Sequence, residues 1–148
     1  MTLNEALIKQ SFIVKILLKS GNEELSKALK VKIMKMRIEL SRIRKRFDED
    51  TQEAIKGLKP EGFDALSQIE NRTEEEESRL KELTNSINEE YNLFLTEKGK
   101  EEVNFSDGFT DEEYEEILNV NADNDVDING NKLQAADFLE AIYSLFVD

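Results

Sequence analysis

Residues 25–47 read LSKALKVKIMKMRIELSRIRKRF, and this stretch decides the fold. Its apolar residues recur at steps of four and three along the chain: Leu25, Leu29, Ile33, Met36, Leu40, Ile43 and Phe47. From Ile33 onward the spacing is that of a heptad repeat, which is typical of a coiled coil or a helical hairpin. The pattern predicts one long helix from Glu23 to about Lys56.

The next segment predicts that the chain turns back on itself. Residues 57–62, GLKPEG, form a Pro/Gly cluster and predict a turn. A return helix is predicted from Phe63 to about Lys98, and its apolar side is formed by Phe63, Leu66, Ile69, Leu80, Leu83, Ile87, Tyr91 and Phe94. Thr73 and Glu76 fall on the same side and interrupt it. We therefore expect an antiparallel hairpin whose tip is looser than its base.

The N-terminal segment is predicted to be helical from its start. Thr2 and Glu5 match a capping box, in which each residue satisfies a backbone N–H group of the other. The predicted helix is strongly apolar and ends at Ser20-Gly21, because Gly is preferred just past a helix. Beyond the long hairpin, residues 101–105 (EEVNF) are predicted to form a short strand.

A β-hairpin is predicted near the C-terminus. Asn129-Gly130 lies between two stretches of alternating residues, 125–128 and 131–134. Asn-Gly at such a position is a strong hairpin signal, because both residues tolerate the positive φ of a type I′ turn.

Two helices flank this β-hairpin. Thr110 and Glu113 match a second capping box and open a short helix, and residues 135–147 form an amphipathic closing helix. The sequence thus predicts a mainly α fold: an antiparallel long-helix hairpin with an N-terminal helix and a small C-terminal α+β cap containing the β-hairpin. The helical hairpin domain is expected to cover residues 1–99 and the cap residues 100–148, packed as one unit.

The residue composition excludes several classes of site. The 148-residue chain contains no Cys and no His, which excludes disulfide scaffolds, thiol catalysis, Cys- or His-based metal sites and Ser-His-Asp triads. No catalytic constellation is found among the other residues, so we expect a non-enzymatic protein without a cofactor. The net charge of −13 argues against a free nucleic-acid-binding protein. Charged residues interrupt the apolar residues 3–18, so no membrane span is expected.

The acidic stretch 121–131, NADNDVDINGN, fits a calcium loop only in part. An EF-hand loop needs oxygen ligands at positions one, three, five and twelve, with Gly at six. Counted from the first ligand, the stretch supplies Asp125, Asp127 and Asn129, with Gly at position six. Position twelve is Ala136, which has no carboxylate. We expect the Asn-Gly hairpin here, with a weak calcium-binding module as the alternative.

Basic residues crowd the first long helix: Lys27, Lys30, Lys32, Lys35, Arg37, Arg42, Arg44, Lys45 and Arg46, with Glu39 as the opposing charge. Such a stripe can contact a phosphate backbone, but no aromatic residues interleave it as stacking platforms. The acidic excess of residues 61–118 favours internal pairing, in which charges select register and orientation. Whether helix 27–46 pairs internally or faces outward stays open.

The terminal helices carry the best candidates for contacts with other proteins. An amphipathic terminal helix either caps its own core or docks on another chain. A chain of this size with a protruding hairpin has little body to cover both helices. We therefore predict partner contacts through Phe12, Leu17, Phe138, Ile142 and Phe146. Such contacts would also allow a homo-oligomer.

The order of the elements points to a family. A short N-terminal helix precedes the basic-apolar helix 25–47, which is followed by Asp48-Glu49-Asp50. An acidic segment then leads to the short element 124–128 and to a closing helix that contains residues 137–142. This order resembles a family of small bacteriophage proteins of unassigned function, encoded among tail and other virion structural genes. The resemblance covers most of the chain with degenerate motifs, and the acidic middle helix, residues 72–90, is longer than in the family.

The resemblance implies a bacteriophage-encoded protein that forms part of a virion or helps to assemble one. Its partners would be other phage structural proteins or further copies of the chain, in the virion or the host cytoplasm. No catalytic residues come with the family. An alternative is an acidic regulatory inhibitor or adaptor, whose acidic return helix imitates nucleic acid for a basic host protein.

Overall fold

The computed structural model describes residues 1–19 and 25–148, and this part of the chain is mainly helical. The elements follow in chain order: α1 Leu3–Ile13, α2 Lys27–Leu58, α3 Phe63–Ser67, α4 Glu74–Gly99, α5 Asp111–Asn121, β1 Val126–Ile128, β2 Asn131–Leu133 and α6 Ala135–Phe146. Strands β1 and β2 form an antiparallel sheet. The predicted fold class is confirmed: a long-helix hairpin, an N-terminal helix and a small α+β cap.

The chain divides into two compact units. Unit 1 comprises Met1–Arg44 and Glu102–Asp148, and unit 2 comprises Lys45–Glu101. This division falls inside α2 and differs from the predicted domains 1–99 and 100–148. The difference has a packing cause, because α1 and the first part of α2 bury apolar side chains in one cluster with the C-terminal segment.

Unit 1 encloses the hydrophobic core. The heptad seam of α2 supplies four buried side chains: Leu29, Ile33, Met36 and Leu40. Buried residues of α1, α5 and α6 join them, among them Ala6, Ile13, Ile117, Phe138 and Ile142. Full burial of a large apolar side chain stabilises a fold by roughly 1.5–3 kcal/mol. The predicted seam is therefore a core surface in this part of α2.

The two predicted capping boxes are confirmed. The N–H groups of Glu5 and Glu113 donate to the hydroxyl oxygens of Thr2 and Thr110, each at 3.2 Å. In return, the two Glu carboxylates accept from the backbone N–H groups of the two Thr residues, at 2.8 and 2.9 Å. The boxes satisfy N–H groups that have no partner inside a helix, and they open α1 and α5.

Helix α1 ends earlier than predicted. Its last residue is Ile13, whereas the predicted end at Ser20-Gly21 lies outside the described residues, as does the predicted start of the long helix at Glu23. After the helix, the Leu17 N–H donates to the Oδ1 of Asn121 on α5, at 2.9 Å. A side chain from a distant helix thus satisfies a backbone group that the sequence pattern assigns to α1.

The predicted return helix is divided in two. Residues 68–73 separate α3 from α4, so the prediction of one helix from Phe63 to Lys98 is wrong at this point. Thr73 and Glu76 form a third capping box, with hydrogen bonds of 3.0 and 3.2 Å. The two polar residues that interrupt the apolar side are therefore a helix start.

Unit 2 has a partly buried seam. Its apolar residues are at most half-buried on both long helices, including Phe47, Ile55, Leu58, Leu80, Leu83, Ile87, Tyr91 and Phe94. Lys98 Nζ on α4 lies 2.9 Å from Asp50 Oδ2 on α2. Hydrogen bonds with the carboxylates of Asp50 and Glu101 raise the pKa of Lys98. The predicted turn is confirmed between α2 and α3, where Gly62 has a φ of 84°.

The Asn-Gly hairpin is confirmed. Asn129 and Gly130 have φ values of 51° and 83°, as a type I′ turn requires. Val126 and Ile128 on β1 are buried, so the hairpin closes one side of the core. The predicted strand 101–105 is reduced to a single antiparallel bridge between Thr2 and Glu102.

The end of α6 contacts the segment before α5 at close range. The Phe109 N–H donates to the Phe146 carbonyl oxygen at 2.6 Å, in a parallel bridge between Phe109 and Val147. A Cβ atom added at Gly108 would lie 2.5 Å from the same carbonyl oxygen. A side chain at position 108 would therefore push the two segments apart.

Candidate functional site

The structure places the five predicted contact residues in or against the core of unit 1. Phe138 and Ile142 are 0% exposed and Phe146 is 3% exposed. Phe12 and Leu17 are half-buried and pack against the same core. The two terminal helices thus cap their own core. In this arrangement a partner chain cannot reach the buried side chains, and exposed residues elsewhere are the available contact surface.

Aromatic contacts fix the terminal helices on each other. Phe12 on α1 stacks on Phe138 of α6, with ring centroids 6.1 Å apart and an interplanar angle of 8°. The Phe109 and Phe146 rings are tilted against each other at 5.4 Å. Lys9 Nζ lies 5.5 Å from the Phe146 ring centre, and burial lowers the pKa of Lys9. Aromatic pairs of this kind contribute about 0.5–1.5 kcal/mol beyond the buried area.

Helix α2 has a second apolar face opposite the core. Val31, Met34 and Ile38 are 47%, 44% and 47% exposed, and we name these three residues the α2 stripe. At about 100° per residue they lie within about 60° of one another and about 180° from the buried seam of the same helix. The exposed side of α2 in unit 1 is therefore partly apolar.

Basic residues flank the α2 stripe on both sides. Lys35 and Arg42 are exposed on one side of it, and Arg37 is half-buried on the other. Among the described residues of unit 1, none of these three side chains forms an ion pair. The stripe is thus an apolar surface with basic residues on both sides, which would complement an apolar surface rimmed by carboxylates.

A shallow groove of about 480 Å³ lies between α5 and α6. Its lining is mostly apolar and consists of Tyr114, Leu118, Ala122, Ala136, Leu139, Glu140 and Tyr143. Leu118 and Tyr143 are 39% and 45% exposed on its walls. We name this feature the α5–α6 groove. It is a further partly apolar surface of unit 1 that solvent reaches.

The floor of the α5–α6 groove is fixed by Tyr114. Its hydroxyl donates to the Leu139 carbonyl oxygen at 2.8 Å, and its ring meets the Tyr143 ring edge-on at 5.1 Å. Burial, followed by the neighbouring Tyr143 and Glu140, raises the pKa of Tyr114. The hydroxyl therefore stays protonated and holds the two helices at one spacing.

The rim of the α5–α6 groove is acidic. Glu140 lines it directly, and Asp111 and Glu115 are exposed on the outer side of α5. Residues 102–148 contain thirteen Asp and Glu residues and a single Lys. The negative charge of the chain is thus concentrated on the segment that forms this groove.

One residue of the basic run of α2, Lys32, is paired with α5. Lys32 Nζ lies 2.8 Å from Glu113 Oε1. Burial alone would raise the pKa of Glu113, but hydrogen bonds from Lys32 and the Thr110 backbone outweigh it and hold the pKa below its usual value. Glu113 lies near the end of the acidic residues 61–118 and outside the predicted return helix, so this pair is an internal contact of one basic residue, and internal pairing of the basic run as a whole stays a prediction. Lys35 and Arg42 face outward.

The carboxylates of the acidic stretch have structural partners. Asp125 Oδ1 accepts from the Ala135 N–H at 3.0 Å, next to the start of α6. Asp127 Oδ1 accepts from the Gly130 N–H at 2.9 Å within the β-turn. Across the described ranges, no three acidic residues are grouped so that they could hold a metal ion. The alternative calcium ligands Asp125, Asp127 and Asn129 thus build the hairpin and its junction with α6.

Sequence reasoning missed three features of unit 1. The fully buried Asn121 accepts from the Leu17 N–H and donates to the Ile117 carbonyl oxygen at 2.8 Å, and a lone Asn gives no signal of such a role. The α2 stripe was detectable, because its residues also recur at steps of three and four. The groove was not, because it depends on the packing of two helices.

Comparison with protein-family models, with curated proteins and with solved structures finds no match for this chain. Within residues 1–19 and 25–148, every helix is too short or too polar to cross a membrane.

Proposed function

We propose that this protein is a non-enzymatic bacteriophage structural or assembly component that acts through protein–protein contacts. The observation that carries the proposal is the α2 stripe. Apolar side chains exposed together on one helix face, with basic residues on both sides, are typical of a surface that docks on another chain. Three large apolar residues, Val31, Met34 and Ile38, lie on the face of α2 turned away from the core and leave almost half of their surface to solvent.

The bacteriophage part of the proposal is supported by the order of elements. The chain begins with a short N-terminal helix and a long basic-apolar helix, and continues with an acidic segment, a short extended element and a closing helix. This order resembles that of small phage proteins encoded among virion genes. The proposed location is the virion or the host cytoplasm, and the proposed partners are other phage structural proteins or further copies of this chain.

The experiment is a particle-incorporation assay with matched variants. The stripe variant combines Met34→Gln and Ile38→Gln, and the control is Glu39→Gln on an exposed position of the same helix. A phage lacking its own copy is complemented with each chain, and purified particles are analysed by quantitative mass spectrometry. We expect the control to enter particles or assembly intermediates, and the stripe variant to be depleted at least tenfold.

Circular dichroism first establishes that both variants keep the wild-type helix content. Normal assembly with the stripe variant would reject a contact role for this face. Recovery of the wild-type chain only in a complex with a host protein would reject the structural proposal and favour the inhibitor or adaptor.

A further inference from the structure

Unit 1 carries two surfaces that match each other in chemistry. The α2 stripe is apolar with a basic border, and the α5–α6 groove is apolar with an acidic rim. A symmetric contact between two α2 stripes would bring Lys35 and Arg42 of one copy against the same residues of another, which repel. A contact between the stripe and the groove instead places each charge opposite its complement.

The two surfaces also match in length. The stripe extends from Val31 to Ile38, about 10 Å along the helix axis at 1.5 Å per residue. The α5 wall of the groove extends from Tyr114 to Ala122, about 12 Å on the same basis. The α6 wall, from Ala136 to Tyr143, repeats the length of the stripe. Two helical turns of α2 therefore fit along the groove.

One copy of the chain cannot join its own two surfaces. Within unit 1, Glu113 of α5 accepts a hydrogen bond from Lys32 of α2, and Glu116 of α5 accepts one from the N–H of Ser26 just before α2, both at 2.8 Å. Leu118 lies about 140–160° around α5 from these two carboxylates, and Lys32 lies outside the stripe on α2. The stripe and the groove thus face away from each other.

We propose that the α2 stripe of one copy docks in the α5–α6 groove of a second copy of this chain. The inference rests on the proposed assembly function and names its partner. The contact is head-to-tail, so each bound pair leaves one free stripe and one free groove, and copies can add until a ring closes or a row forms. A contact of this size lies at the small end of protein interfaces, so its strength depends on protein concentration and salt.

The test uses two variants that each lose one surface. The stripe variant is Met34→Gln with Ile38→Gln, and the groove variant is Leu118→Gln with Tyr143→Gln. All four side chains are at least 39% exposed, so the core is kept. Glu39→Gln and Ser144→Gln replace exposed residues of α2 and α6 outside the two surfaces and serve as controls. Circular dichroism and thermal unfolding establish that every variant is folded.

Sedimentation velocity is measured over a concentration series at low and at high salt. We expect the wild type and both controls to associate at low salt, and each surface variant alone to lose association by on the order of a hundredfold. Mixing the two surface variants should restore a particle of two copies, one of each, and no larger, because the mixture has one intact stripe and one intact groove.

Three results would overturn the head-to-tail contact: a wild-type chain that is monomeric at every concentration, a groove variant that associates as the wild type does, or a mixture that stays monomeric. The particle assay is read separately. A stripe variant that fails to enter particles while the groove variant enters normally would leave the assembly function standing without this contact.

Discussion

Unit 1 and unit 2 share helix α2 but bury it to different extents. In unit 1 the heptad seam places Leu29, Ile33 and Met36 at 0–2% exposure. In unit 2 the same seam continues with Phe47, which is only half-buried, and Leu93 on α4 is 66% exposed. A heptad pattern therefore fixes which side of a helix is apolar, but the depth of burial depends on how many elements cover it.

Buried polar groups differ between the units in the same way. In unit 1, the side-chain amide of Asn121 accepts from the Leu17 N–H and donates to the Ile117 carbonyl oxygen. In unit 2, the Oγ1 of Thr51 is buried without a hydrogen-bond partner. A satisfied polar group fixes one arrangement of its neighbours, whereas an unpaired one destabilises. The buried Asn121 thus helps to specify the packing of unit 1, whereas the Thr51 hydroxyl contributes no such hydrogen bond in unit 2.

The largest expected effect compares Phe138→Ala in unit 1 with Phe94→Ala in unit 2. Phe138 is fully buried and stacks on Phe12, so its truncation should lower the free energy of unfolding by about 3–5 kcal/mol. Phe94 is half-buried, and its truncation should cost about 1 kcal/mol. Urea unfolding followed by circular dichroism measures both. Equal losses of unfolding free energy at the two positions would contradict the difference in burial between the core of unit 1 and the partly buried apolar side of unit 2.

Phe138→Ala combined with Ile142→Ala distinguishes core residues from contact residues. Loss of the folded state would establish both as core residues. If the double variant keeps its helicity but no longer associates, Phe138 and Ile142 would be contact residues, as the sequence predicts.

Most of the fold could be predicted because its signals are local. The seam of α2, the capping boxes at Thr2 and Thr110 and the type I′ turn at Asn129-Gly130 each depend on residues a few positions apart. The break before α4 also has a local signal, the capping box formed by Thr73 and Glu76. It was missed because an apolar periodicity on both sides favoured one continuous helix.

The candidate site could be predicted only in part. The sequence identified the terminal helices as apolar but could not decide whether Phe138 and Ile142 meet their own core or another chain, since both outcomes require the same pattern. The α5–α6 groove exists because Tyr114 and Tyr143, 29 residues apart in the chain, meet edge-on. The position of the groove follows from the tertiary packing of α5 and α6, which a local sequence pattern does not predict.

Replacing a buried polar side chain should change the stability with opposite signs in the two units. Asn121→Leu should destabilise the protein by about 1–3 kcal/mol, because the Leu17 N–H loses its acceptor inside the core. Thr51→Val should stabilise it by up to about 1 kcal/mol, because the unpaired hydroxyl is replaced by a methyl group of similar size. Thermal unfolding of both variants against the wild type gives the two shifts. A destabilised Thr51→Val variant would mean that this hydroxyl has a partner in solution.

The smallest effect is a pH dependence that belongs to unit 1. Hydrogen bonds from Lys32 and Thr110 hold the pKa of Glu113 below its ordinary value of 4.5, although burial opposes them. The carboxylate therefore stabilises the folded state fully above about pH 4.5, and this contribution is lost as the pH falls through the lower, folded pKa. Glu113→Gln keeps a side chain suited to a capping box but removes the charge, so it should cost less than about 1 kcal/mol near neutral pH. That cost should shrink toward zero in acid, when urea unfolding is measured between pH 7 and pH 3.

Glu5→Gln, at the equivalent position of the α1 box but fully exposed, is the control and should change less. A cost for Glu113→Gln that is independent of pH would mean that geometry, rather than charge, joins α5 to α2.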